Sequence, residues 1–129
     1  MRSLWMAVAV AMLVASGWSG RPVAQAQQSL DPVALDPQHY KLEFENEYVR
    51  VIRCRIPPHD RVGMHQHPVK GVMVLLGDQN MRSTSADGTV REAHRKAGET
   101  YWMDAITHRG ENISDTPFEY VRVDIKAAR

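Results

Sequence analysis

His65 and His67 stand one residue apart in the segment GMHQHPVKG, residues 63–71, of a chain that has six histidines. On a strand, residues i and i+2 project from the same face, so both imidazoles would leave the backbone in one direction. A third histidine, His108, follows in GETYWMDAITHRGEN, residues 98–112, just after a stretch with strand character. Three neutral imidazoles converging inside a small barrel would suit iron, zinc, nickel, copper or manganese, with positions left open for water or substrate. Taken alone, the His-x-His spacing also fits two solvated side chains beside a proline. The metal reading depends on the fold bringing the third histidine in.

The other residues that could do chemistry read more simply. Cys54 is the only cysteine, so no internal disulfide forms, and its place mid-strand makes it a small packing residue. A reactive thiol there would need a lowered pKa, and the flanking Arg53 and Arg55 should point to the opposite face. His39, His59 and His94 lie in charged or proline-rich loop-like surroundings and are expected to be solvated. Arg53, Arg55 and Arg122 are strand arginines read as solvated; an inward one could pair with a carboxylate substrate. Asn112 is expected to fix backbone, and Gly63, Gly77 and Gly98 to make turns.

The elements that must position these residues are short and β-rich. Residues 40–44 alternate, and residues 48–56, YVRVIRCRI, are rich in β-branched side chains and end at Pro57-Pro58. Residues 72–76, VMVLL, form an apolar run too short for a helix, expected as a central strand buried on both faces. Asp87-Gly88 signals a hairpin between strands over 81–84 and 89–92. Residues 100–103 and 118–125 complete the strands, the latter after the turn Ser114-Asp115-Thr116-Pro117. One of the neighbours Tyr101 and Trp102 faces the interior, and parity alone does not say which. No clear 3.6-residue period occurs after the N-terminal leader, so the pattern predicts an antiparallel sandwich or barrel.

The leader itself carries Arg2, an apolar run over residues 4–15 and the small-x-small pattern Ala24-Gln25-Ala26. It reads as a secretory signal peptide, residues 1–26, cut near Ala26 and directing the protein to the periplasm or beyond. Spanning a bilayer needs roughly 20 apolar residues, so no stable membrane insertion is expected after cleavage. Removing the leader takes away Arg2 and Arg21, so the 16 Lys and Arg become 14 against 15 Asp and Glu. No positive field that would attract nucleic acid remains. Residues 27–39, with two Asp-Pro pairs, are expected to be an extended lead-in.

Residues 63–77, GMHQHPVKGVMVLLG, resemble the first motif of the cupin superfamily, with its His-x-His and closing glycine. Residues 98–112 resemble the second, with opening Gly98 and with His108 followed by Asn112. The likeness covers nearly all the chain after the leader. It is similar to the small single-domain bacterial cupins of the β-alanine degradation group, whose strands read like ENEYVRVIR and DTPFEYVRVDIK. The resemblance implies an all-β antiparallel barrel or jelly roll over residues 40–126, one divalent transition metal, and His65, His67 and His108 as its ligands. It also exposes a departure. The family's acidic ligand should fall at Lys70, Gly71 or Val72, none of which offers a side-chain oxygen; the nearest acid of the second motif is Glu111. A three-histidine site keeps the full charge of the ion, favouring anionic ligands and disfavouring manganese. The function implied is a metal-binding cupin acting on a small anionic metabolite, oxygenase-like chemistry among the reactions, with Val72, Val74 and Trp102 as apolar lining. The alternative is a non-catalytic small-ligand-binding or sensory cupin without metal. Cupins often pair through strand edges, so a homodimer is expected.

Overall fold

The structure, a computed structural model, describes residues 29–127. The signal-peptide expectation for residues 1–26 lies outside them. A one-turn helix α1 (Pro32–Leu35) precedes nine strands among the described residues: β1 (Tyr40–Glu45), β2 (Val49–Ile56), β3 (Arg61–His67), β4 (Gly71–Leu75), β5 (Gln79–Ser85), β6 (Val90–Arg95), β7 (Thr100–Met103), β8 (Ile106–Asn112) and β9 (Phe118–Ile125). They form two antiparallel sheets, ordered β1-β2-β9-β4-β7 and β3-β8-β5-β6. No helix among the described residues is long and apolar enough to cross a membrane.

The alternation of β2 and β9 builds one wall of the interior. Ile52, Cys54 and Ile56 face inward from β2, opposite Arg122, Tyr120 and Phe118 of β9 in register. Val62 of β3 and Met81 of β5 close the core from the other sheet. Cys54 is a packing residue, as expected: burial pushes its thiol up to about 12, which leaves it inert at neutral pH. The β5–β6 hairpin turns where Asp87-Gly88 predicts, with Gly88 at φ 88° and Ser85 N–H donating to Thr89 O at 2.9 Å. Both strands run further than the sequence suggested, to Gln79 and to Arg95.

Three local expectations change. The lead-in is not extended throughout, because Pro32 starts a helical turn and the Asp31 carboxylate caps it by accepting from Val33 N–H. β4 is buried on one face only: Met73 and Leu75 are inside, whereas Val72 and Val74 are half exposed on the outer face. His108 lies within a strand, β8, held by pairing on both sides with β3 and β5. Gly71 has a steric reason to be glycine. A Cβ there would stand 2.5 Å from Val123 O and would force β4 away from β9.

Asn112 ties this scaffold together below the site. Its Nδ2 donates to Ile56 O, Pro57 O and Thr116 O, and its Oδ1 accepts from Ser114 N–H and Oγ–H. Leaving buried carbonyls unpartnered costs about 1–3 kcal/mol each. Asn112→Ala should therefore lower the unfolding free energy by about 3 kcal/mol, read as a lower urea midpoint at unchanged m-value. A midpoint equal to that of the parent would contradict this role.

Candidate metal centre

β3 brings its histidines to the interior by way of an irregularity. Val62 pairs with Gly110 and His65 with His108, so the register shifts over Gly63 and Met64 and the ladder contains a bulge. The extra residue lets both Val62 and His65 face inward despite their odd spacing. From His65 the strand is regular, and His67 follows on the same face. The three sequence-predicted ligands therefore meet. Ring centroids are 5.0 Å apart for His65 and His67, 4.6 Å for His65 and His108, and 5.9 Å for His67 and His108. One ligating nitrogen from each lies within 4.8 Å of the others, close enough for a shared ion.

Hydrogen bonds orient the rings. His65 Nδ1–H donates to Gly63 O at 2.8 Å, inside the bulge, which leaves Nε2 as an acceptor for the Tyr40 hydroxyl at 3.1 Å. His108 Nδ1 shares a 2.8 Å hydrogen bond with Ser83 Oγ, and the tautomer donating from Nδ1 leaves Nε2 bare. His108 Nε2 and His67 Nδ1 are buried without a hydrogen-bond partner among the described residues. Buried polar nitrogens are ordinarily satisfied, so these two mark a place where a cation fits. Burial holds all three imidazoles neutral. His67 is pushed down to about 2 by burial and then by the Arg122 guanidinium. His108 falls to about 3 through burial, His65 and Arg122, and His65 is lowered chiefly by burial. Neutral imidazole is the ligating form.

The site opens into a cavity of about 330 Å³ between the sheets. Its apolar lining is Met73, Met81, Met103, Ile56 and Phe118, not the Val72, Val74 and Trp102 of the sequence reading. The reason is parity: Val72 pairs with Trp102 on the outer face, where Trp102 is 56% exposed, and Met73 with Tyr101 on the inner. Glu111 also points outward, pairing with Arg61 and Arg82, so it does not serve the site. Lys70 reaches Asp104 on the surface. Arg122, read as solvated, is fully buried; its Nε donates to Asp124 and its Nη2 to Val69 O. His39, also read as solvated, is clamped between Asp36 and Asp60. Burial would lower its pKa, but those hydrogen bonds outweigh burial and raise it. His59 and His94 are exposed, and Arg53 and Arg55 pair with acids on the outer face, as expected. Tyr101 is the inward member of the pair that parity left open, whereas Tyr40, Ser83, Gln79, Arg91 and Arg95 escaped the sequence reading. Only the alternation of Arg91, Ala93 and Arg95 after the hairpin turn carried a signal for any of them.

The molecule is similar in fold to solved structures. A cupin-domain protein from Bordetella pertussis is 28% identical, with a TM-score of 0.63 over 68% of this chain and 92% of that one. A Klebsiella pneumoniae protein with a double-stranded β-helix domain is 21% identical, with a TM-score of 0.53 over 66% of this chain and 73% of its own. An RmlC-like cupin from Methanocaldococcus jannaschii is 15% identical, with a TM-score of 0.54 over 67% and 77%. No protein-family model and no curated protein matches the chain. Two antiparallel sheets with His65, His67 and His108 lining the cavity between them accompany these likenesses, and the fold is that of the cupin superfamily.

Proposed function

We propose that this cupin binds one divalent transition metal at His65, His67 and His108 and acts there on a small anionic metabolite. The observation that carries the proposal is the convergence of three buried, neutral imidazoles, two of which have a nitrogen with no other partner. An all-imidazole set suits iron, zinc, copper or nickel better than manganese. A bound ion would supply Lewis acidity and acidify nearby water. The chain's own residues supply the rest. Gly63 O and Ser83 orient two of the rings, while Met73, Met103 and Phe118 restrict water. Tyr40, whose pKa burial raises well above its ordinary value, stays a phenol beside His65; its hydroxyl donates to His65 Nε2 in the metal-free protein, and an ion on that nitrogen would displace it.

A second reading, ligand binding without turnover, draws on one observation. Among the described residues, Asp87 at the hairpin is the only carboxylate lining the cavity. Export is part of the proposal on the strength of the leader. So is a homodimer, supported by a cross-strand row of Phe44, Val51, Val123, Val72 and Trp102 on the outer face.

Elemental analysis of protein purified without a polyhistidine tag tests the metal site. The parent should hold about one ion per chain after reconstitution, and His67→Ala and His108→Ala should weaken binding by more than the 10–100-fold typical of lost outer partners. A parent that takes up none of iron, zinc, nickel, copper or manganese would end the proposal. Because the folded imidazoles are held below their ordinary pKa of about 6.5, protons compete weakly, and zinc affinity should stay nearly flat from pH 7.5 to 5. Stability of the metal-free protein follows the opposite course. The unfolded chain takes up protons below about pH 6.5 and the folded one does not, so stability falls as pH drops from there. The loss is about 1.4 kcal/mol per unit for each such histidine. Thermal melts at pH 7.5 and 5 check the sign, and His67→Phe should flatten the slope.

A further inference from the structure

Two guanidiniums face the cavity from β6, because Arg91, Ala93 and Arg95 share its inward side. Arg95 is the more constrained. Its Nη1 donates to Gln79 Oε1 at 3.2 Å, and its guanidinium carbon lies 4.0 Å from the centroid of the Tyr101 ring. Gln79, itself buried, donates from Nε2 to Tyr101 Oη at 3.2 Å, so amide, ring and guanidinium brace one another. Of the five N–H donors of a guanidinium, Arg95 commits one to the protein, and no acid pairs with it among the described residues. A partly buried cation normally has a counter-charge, and a stacked guanidinium with a free edge matches a carboxylate. Asp87 does not fill that role. It sits at the hairpin tip, where its carboxylate accepts from Thr89 N–H.

The same strand supplies a length scale. Gln79, which holds Arg95, and Ser83, which holds His108, project from one face of β5 four residues apart, which is about 13 Å of strand. Met81 lies between them, and Met73, Met103 and Phe118 line the space. Arg91 pairs in register with Ser83 and adds a second cation nearer the imidazoles.

We infer that Arg95 anchors the carboxylate of an elongated organic acid with an apolar body, whose opposite end reaches the three histidines. This deepens the proposed function and rests on the cavity being its ligand site. The arrangement selects for a charged head, for chain length, and against a short hydrophilic acid.

Calorimetric titration with octanoate, butyrate and octanamide, on protein with and without zinc, tests the inference. Octanoate should bind at least tenfold more tightly than butyrate, since each buried methylene contributes about 0.8 kcal/mol. It should also bind at least tenfold more tightly than octanamide, which lacks the charge. Arg95→Gln should weaken octanoate binding about 10–100-fold, as for a lost charge-assisted hydrogen bond, and leave octanamide unchanged. Arg95→Lys, which keeps the charge but not the fork, should fall between, and Arg109→Gln, on the outer face, should match the parent. The parent's preference for octanoate over octanamide needs no variant, so misfolding of Arg95→Gln does not shelter the idea. No such preference, or an Arg95→Gln protein that melts cooperatively and binds octanoate within twofold of the parent, overturns the inference. Zinc content of the same samples separates the two proposals. Metal uptake without octanoate selectivity sinks this one alone, whereas selectivity through Arg95 in a protein that takes up none of iron, zinc, nickel, copper or manganese supports it and sinks the metal site.

Discussion

The antiparallel pairing of β3 with β8 sets His65 across from His108, and the rest of the site is arranged around that contact. The two histidine motifs are distant in sequence, so only a non-local ladder can bring their side chains within ligand distance. The bulge at Gly63 and Met64 then sets the phase. Without the extra residue, His65 and His67 would face outward while Val62 faced in, since a shift of one residue moves every side chain to the other face. The same bulge supplies the Gly63 carbonyl that fixes the His65 tautomer, so position and protonation of this ring have one local cause.

Around this contact the interior is electrostatically one-sided. Arg122 lies buried behind His67, compensated by Asp124, and helps to keep the imidazoles unprotonated. Arg91 and Arg95 face the cavity, against Asp87 as its one carboxylate among the described residues. None of Lys70, Gly71 and Val72, where the resemblance places an acidic ligand, offers a side-chain oxygen, and at Gly71 any side chain would collide with Val123 O.

Much of this was legible in the chain. The strands rich in β-branched residues, the Asp87-Gly88 hairpin and the His-x-His pair lie where their local chemistry puts them, and Asn112 fixes backbone as its motif suggests. β8 was not legible, because Thr107-His108-Arg109-Gly110-Glu111 has weak strand character and becomes a strand through partners on both sides. Neither was the burial of Arg122 or the clamp on His39, because each depends on acids or carbonyls contributed through folding. The apolar lining failed for a narrower reason: alternation shows that Met73 and Val72 face opposite ways but not which of them faces in.

The sequence by itself determined the periodicities, the turns and a set of three imidazoles able to hold a metal, because these depend on residue type and short spacing. Tertiary structure alone decided the convergence of those imidazoles, the face each strand buries and the pairing of Arg95 with Gln79 and Tyr101. Those outcomes follow from register between strands far apart in the chain, which no local pattern encodes.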